Sequence, residues 1–265
     1  MYDNDGGNAM LNSVHGLKGA ILIATDGEIG HINEVYFDDE AWAIRYFVVD
    51  TGTWLAGREV LISPYSAKRP MGDARTVELW LTREQVRNSP VTDTHQPVSR
   101  RHERETLGYY AYPEYWNGGD LWAMSGFPLV PAALPALPEI DAAIADRERA
   151  VAPEDVHLRS SAQVTGYDIH ATDGSIGHVS DFIFDDASWA IRYLVVDTRN
   201  WWPGGKKVLL APRWIDRIEW AERMVYTPLT REQVKASPEY DEKKLLDRDY
   251  EQRLHDAYGR PGYWD

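Results

Sequence analysis

The chain has no cysteine in 265 residues, which excludes disulfides, thiolate metal sites and thiol nucleophiles together and suits a reducing compartment. It also lacks any apolar run near the roughly 20 residues needed to cross a bilayer. The best stretch, Leu121 to Leu137, is broken by Pro128, Pro131 and Pro135. Basic residues are in short supply: 28 Lys and Arg against 42 Asp and Glu give a formal charge of −14. A surface of that sign repels a phosphate backbone, so direct nucleic-acid binding is not expected. Met1 to Leu11 carries Asp3, Asp5 and a glycine pair where a secretory leader needs a basic then an apolar region. The expectation is a cytoplasmic protein.

What the chain does have is a repeat. Thr25 to Thr51 returns as Thr172 to Thr198, without a gap and with about two-thirds of positions identical. After a one-residue insertion near Pro203 the register continues. Leu81-Thr82-Arg83-Glu84-Gln85-Val86 is matched by Leu229-Thr230-Arg231-Glu232-Gln233-Val234, and Tyr115-Trp116 by Tyr263-Trp264. Units of this length are duplicated domains and not solenoid turns. The expected division is a first repeat over 11–116, a Pro/Ala-rich linker over 117–157 with a short helix near Ile140 to Ala150, and a second repeat over 158–265.

Short β-branched and aromatic stretches alternating with turn residues predict an all-β fold. Asp26-Gly27 and Asp173-Gly174 mark tight turns. Further strands are expected at Glu59 to Ser63, Lys68 to Met71 and Thr76 to Leu81. Five or six strands closed into a small barrel would leave no exposed edge. Thr82 with Gln85, and Thr230 with Gln233, fit a capping box opening a short C-terminal helix. The two barrels are expected to stand in a pseudo-two-fold arrangement, because apolar residues recur on both faces of the Trp42 to Val49 strand. A four-residue turn at Asp38 to Ala41 sets Phe37 opposite Trp42, which counts Glu34 onto Arg45 and Asp181 onto Arg192 as structural ion pairs.

Asp-Gly-x-Ile-Gly-His, followed by Phe-Asp-Asp, Trp-Ala-Ile-Arg-Tyr and Val-Val-Asp-Thr, present twice, resembles the PRC-barrel family. The resemblance covers about Ser13 to Val86 and Ser160 to Val234. It is similar to the cytoplasmic domain of the photosynthetic reaction-centre H subunit, to the C-terminal domain of a ribosome maturation factor and to stand-alone bacterial members. The resemblance implies a fold and, more loosely, a non-catalytic role with a protein partner; it implies no cofactor.

Candidate chemistry is sparse. His31 and His178 recur beside Asp50 and Asp197, on what the counted register makes the core face. Two ligands per barrel fall short of a metal site, and the pair reads as structural. Asp38-Asp39 and Asp185-Asp186 sit where turns want Asp. Aromatics are the strongest signal: Trp54, Trp201 and Trp202 fall in Gly-bounded loops, where an aromatic tip either anchors a partner or folds back to plug a barrel end. The leading expectation is therefore an interaction or regulatory module without catalytic residues. The alternative is a metal protein or enzyme using His31 and His178 with nearby acids.

Overall fold

The structure is a computed structural model that describes residues 10–68, 75–90, 98–130, 157–199, 201, 203–244 and 246–264. The first repeat opens with β1 (Leu11–Ser13) and a helical turn, α1 (Val14–Leu17). Strands β2 (Ile21–Ala24), β3 (Gly27–Asp38), β4 (Ala43–Asp50), β5 (Glu59–Ile62) and β6 (Thr76–Glu78) follow, then helices α2 (Arg83–Arg87) and α3 (Arg100–Tyr109). The second repeats the plan with β7 (Leu158–Ser160), α4 (Ser161–Val164), β8 (Asp168–Ala171), β9 (Gly174–Asp185), β10 (Ile191–Asp197) and β11 (Lys207–Leu210). It closes with β12 (Arg217–Glu219), β13 (Met224–Tyr226), α5 (Arg231–Ala236) and α6 (Arg248–Tyr258).

The chain divides into two compact units, residues 19–159 and residues 1–18 with 160–265. In the first unit the strand order is β5-β4-β3-β2-β6, with β7 beside β3. In the second it is β11-β10-β9-β8-β13-β12, with β1 beside β9. Both sheets are mixed: β2 with β6, and β8 with β13, run parallel, whereas β1–β9, β2–β3, β3–β4, β4–β5, β8–β9, β9–β10, β10–β11 and β12–β13 run antiparallel. Neither sheet closes into a barrel by a continuous ladder, which corrects the expected closure. In the first unit a single bridge, Ala67 to Leu79, is made between the segment after β5 and the end of β6. Lys68 precedes residues 69–71, so that expected strand lies mostly outside the described residues, as does the expected Ile140 to Ala150 helix. The equivalent stretch of the second repeat is the hairpin strand β12.

Local chemistry explains the elements. Thr82 and Gln85, and Thr230 and Gln233, form reciprocal capping boxes at α2 and α5. The Asp of each Asp-Gly turn accepts the first helical amide, Arg83 N–H on Asp26 at 2.7 Å and Arg231 N–H on Asp173 at 2.8 Å. One carboxylate thus ties each Asp-Gly turn to the helix 57 or 58 residues further on. Gly30 and Gly177 are required by close approach: a Cβ there would stand 2.0 Å from the Asp50 carbonyl oxygen and 2.2 Å from that of Asp197.

Strand β4 is buried on both faces from Ala43 to Val49. On one face Tyr36, Tyr46, Val48 and Leu61 pack with Val98, which precedes α3, and with Leu158 of β7. Apolar residues on both sides of the strand are thus accounted for by a cover as well as a sheet core.

Candidate functional site

Two β-bulges decide where the charged residues point. In the β3–β4 pair Tyr36 lies opposite Tyr46 but Phe37 opposite Ile44, so Arg45 is the extra residue; a second shift falls between Ile32 and Glu34. The same two bulges recur in β9–β10 at Arg192 and Ser180. Glu34 consequently faces Val48, and Asp181 faces Val195. The expected pairs Glu34–Arg45 and Asp181–Arg192 are therefore corrected. The four-residue turn sits one residue further on than counted, at Asp39 to Trp42, so Phe37 faces Ile44 and not the expected Trp42; that moves the pairing by two, and the bulge at Arg45 slips it by one more before Glu34. Arg45 instead bonds Asp38 at 3.2 Å and the Leu121 carbonyl at 2.7 Å, and Arg192 bonds Asp185 at 2.8 Å. Asp181 accepts from the Ser13 hydroxyl at 2.5 Å and the His15 amide at 2.9 Å.

Around each bulged arginine the structure builds the same buried polar cluster. The Arg45 guanidinium lies 3.8 Å from the Tyr115 ring centroid, and that of Arg192 lies 4.2 Å from Tyr263. A glutamate from the first turn of the following long helix reaches the cluster: Glu103 accepts from Tyr115 at 2.5 Å, and Glu251 from Tyr193 at 2.8 Å. Arg100 and Arg248, one turn earlier, stack on Trp116 and Trp264 at 4.1 and 4.0 Å. A histidine completes each cluster from a different place. His157 bonds Glu103 at 2.9 Å, whereas His255 bonds Tyr193 at 3.0 Å.

Burial sets the electrostatics of these clusters. It raises the Tyr46 and Tyr115 hydroxyls well above the usual phenol range, with the Glu103 charge adding to it. Tyr263 is pushed up to about 12 by burial and by Glu251. Burial alone would lower His157, but the hydrogen bond and charge of Glu103 outweigh it and hold the imidazole above its ordinary value. Asp185 goes the other way: its burial is outweighed by Arg192 and two backbone amides, so its carboxyl titrates below the usual range. Glu103 and Glu251 each accept inside their cluster and the rings are packed against the arginines, so the clusters fasten the Tyr-Trp tails and long helices to the sheets, while the Tyr46 hydroxyl and the Nε of Arg45 and Arg192 are buried without a hydrogen bond among the described residues. The repeat register matched Tyr115-Trp116 with Tyr263-Trp264 but did not mark out the helices α3 and α6 that carry Arg100, Glu103, Arg248 and Glu251. The signal was present: those four residues keep the offset of the repeat through a stretch that otherwise diverges.

His31 lies directly opposite Asp50, and His178 opposite Asp197. His31 is not on the core face: its side chain is 52% exposed and its Nε2 is 3.8 Å from Asp50. It lines a shallow cleft of about 350 Å³ with Asp50, Trp54 and Arg83. Trp54 folds back into this cleft, its indole N–H donating to the Ile29 carbonyl and its ring 4.5 Å from the Arg83 guanidinium. Trp201 is 38% exposed, and Trp202 lies outside the described residues. Among the described residues no group of three or more His, Asp or Glu is placed to hold a metal ion.

A separate group of exposed apolar side chains lies on the β2–β6 side of the first sheet. Ile21 and Ile23 of β2 are 39% and 37% exposed, and Trp80, just past β6, is 67% exposed with Lys68 5.0 Å from its ring centroid. The pairing of Ile21 with Thr76 and Ile23 with Glu78 carries this side of the sheet on to Trp80. At the matching positions the second repeat has Asp168, His170 and Pro228.

The fold and its repeated Asp-Gly turns define a β-sheet module, and the family model for the PRC-barrel domain matches residues 12–77. The chain thus carries a PRC-barrel domain there, and the second repeat, with a sheet of similar topology, stands beyond the matched residues. A comparison with curated proteins gives no match. No helix among the described residues is long and apolar enough to cross a membrane.

Proposed function

We propose that the chain is a non-catalytic interaction module that binds a protein partner through the β2–β6 face of its first repeat. The observation that carries this reading is the exposed Ile21, Ile23 and Trp80 surface, replaced in the second repeat by Asp168, His170 and Pro228. Two copies of one fold need the same core, and these two share it. Three large apolar side chains left in water by one copy alone have no use in folding, whereas a partner would cover them. Trp80 is the anchor, because an aromatic ring with a polar edge contributes most at a desolvated interface. The buried clusters fasten helices and tails to the sheets, and this reading assigns the His31 cleft no chemistry.

A photo-crosslinking residue in place of Trp80 tests the reading, with a second at Trp201 for comparison. The expected result is one protein cross-linked from position 80 and not from 201, and lost when Ile21→Asp and Ile23→Lys are added. Equal labelling from both positions, or no loss on adding those changes to a folded chain, sinks it.

A further inference from the structure

In each compact unit the long strand carries beside its C-terminal half a three-residue strand that belongs to the other repeat. β1, Leu11-Asn12-Ser13, and β7, Leu158-Arg159-Ser160, occupy the same position in the duplicated sequence. Yet β1 lies on β9 and β7 on β3. The residues matched as a PRC-barrel domain begin at Asn12, inside the strand that completes the other repeat's sheet.

The seat is built for a strand. Leu11, Asn12 and Ser13 pair antiparallel with Asp185, Phe184 and Ile183. The ladder is prolonged by the Asp186 amide on the Met10 carbonyl at 3.1 Å, and its counterpart is the Asp39 amide on the His157 carbonyl at 2.9 Å. Side chains grip the ends: the Met10 amide donates to Asp186 at 2.8 Å, and Ser13 and His15 donate to Asp181. The Asp39 carboxylate in turn takes Arg159 at 2.6 Å. Recognition is by backbone pairing and a short Leu-x-Ser strand, so any chain carrying that strand fits. A second copy carries it, at the same spacing from the same following turn. The strand is also short, so few bonds hold it in place and local opening is easy.

We propose that the seat on β9 takes β1 from a second copy of this chain, giving a strand-exchanged dimer in which each copy's opening strand completes the sheet of the other. Duplication then placed the same exchange inside one chain. This inference stands apart from the β2–β6 face, which contributes nothing to the seat.

The absence of cysteine gives a clean background for the test. Met10 and Asp186 face each other across the seat, so unlabelled Met10→Cys chain and isotope-labelled Asp186→Cys chain are mixed, concentrated and oxidised. The expected product is a mixed covalent dimer, about tenfold more than with Glu222→Cys as the second partner. Mixed dimer at the level of that control overturns the proposal. Because Asp186 is buried, light scattering on the unmodified chain is the second arm. Its mass should double as concentration rises, and Asn12→Pro, which puts proline into the ladder, should abolish the doubling. A chain that stays monomeric throughout overturns the proposal, as does a dimer that survives Asn12→Pro. Loss of dimer with Ile21→Asp in place of Asn12→Pro would assign self-association to the other face.

Discussion

Arg45 and Asp38 form a buried ion pair at 3.2 Å, both side chains almost wholly out of solvent, and Arg192 with Asp185 repeats it at 2.8 Å in the second unit. In each case the arginine is the bulged residue of its strand and the aspartate closes the hairpin it belongs to. Asp38 also accepts from the amides of Glu40 and Ala41, and Asp185 from those of Ala187 and Ser188. The turn and the bulge are therefore held by one carboxylate. That links a local backbone device to the cluster in which Tyr115 and Tyr263 lie against the arginines.

Breaking that pair from one side should be costly. Asp38→Ala leaves a buried guanidinium without its partner and is expected to lower unfolding stability by about 3 to 5 kcal/mol. Asp38→Ala combined with Arg45→Met should cost less than the sum of the singles. Chemical denaturation of the four proteins measures the coupling, and additive effects would show that the pair does not act as one.

The two described loop tryptophans should behave differently. Trp54 is hydrogen-bonded and stacked on Arg83, so Trp54→Ala is expected to destabilise by about 1 to 3 kcal/mol. Trp201→Ala, at an exposed loop position, should stay within about 0.5 kcal/mol of the parent. Thermal melts of both decide it, and an unchanged melt for Trp54→Ala would return that residue to the role of a presented tip.

Stability of the first unit should fall as pH rises above about 6.5. His157 titrates above its ordinary value in the fold because of Glu103. Its contribution is therefore complete below the unfolded imidazole value near 6.5 and is lost as pH rises through the folded one. Asp185 has the opposite sign: its contribution is present above the ordinary carboxylate value and is lost as pH falls through the lower folded one. Denaturant unfolding across pH should show this decline disappearing in His157→Gln; persistence of the full decline would assign it to other groups.

The duplicated register, the Asp-Gly turns, the capping boxes at Thr82 and Thr230 and the β-rich character were legible in the amino-acid order because each depends on near neighbours. An N-cap hydroxyl and the residue three places on suffice for a helix start, and a repeat is visible however the chain folds. The partners of Arg45 and Arg192 were not legible. Where the turn sits shifts the pairing by two and a single bulge slips it by one more, and the side chains that stabilise a bulge come from distant elements. The Gly-bounded loop of Trp54 left open whether the ring is presented or folded back; only the approach of Ile29 and Arg83 shows that it folds back. The seats of β1 and β7 depended on tertiary structure most of all. A strand is specified locally by its ability to extend, but the edge it pairs with is chosen among long strands alike in sequence, and here β1 lies on β9 and β7 on β3.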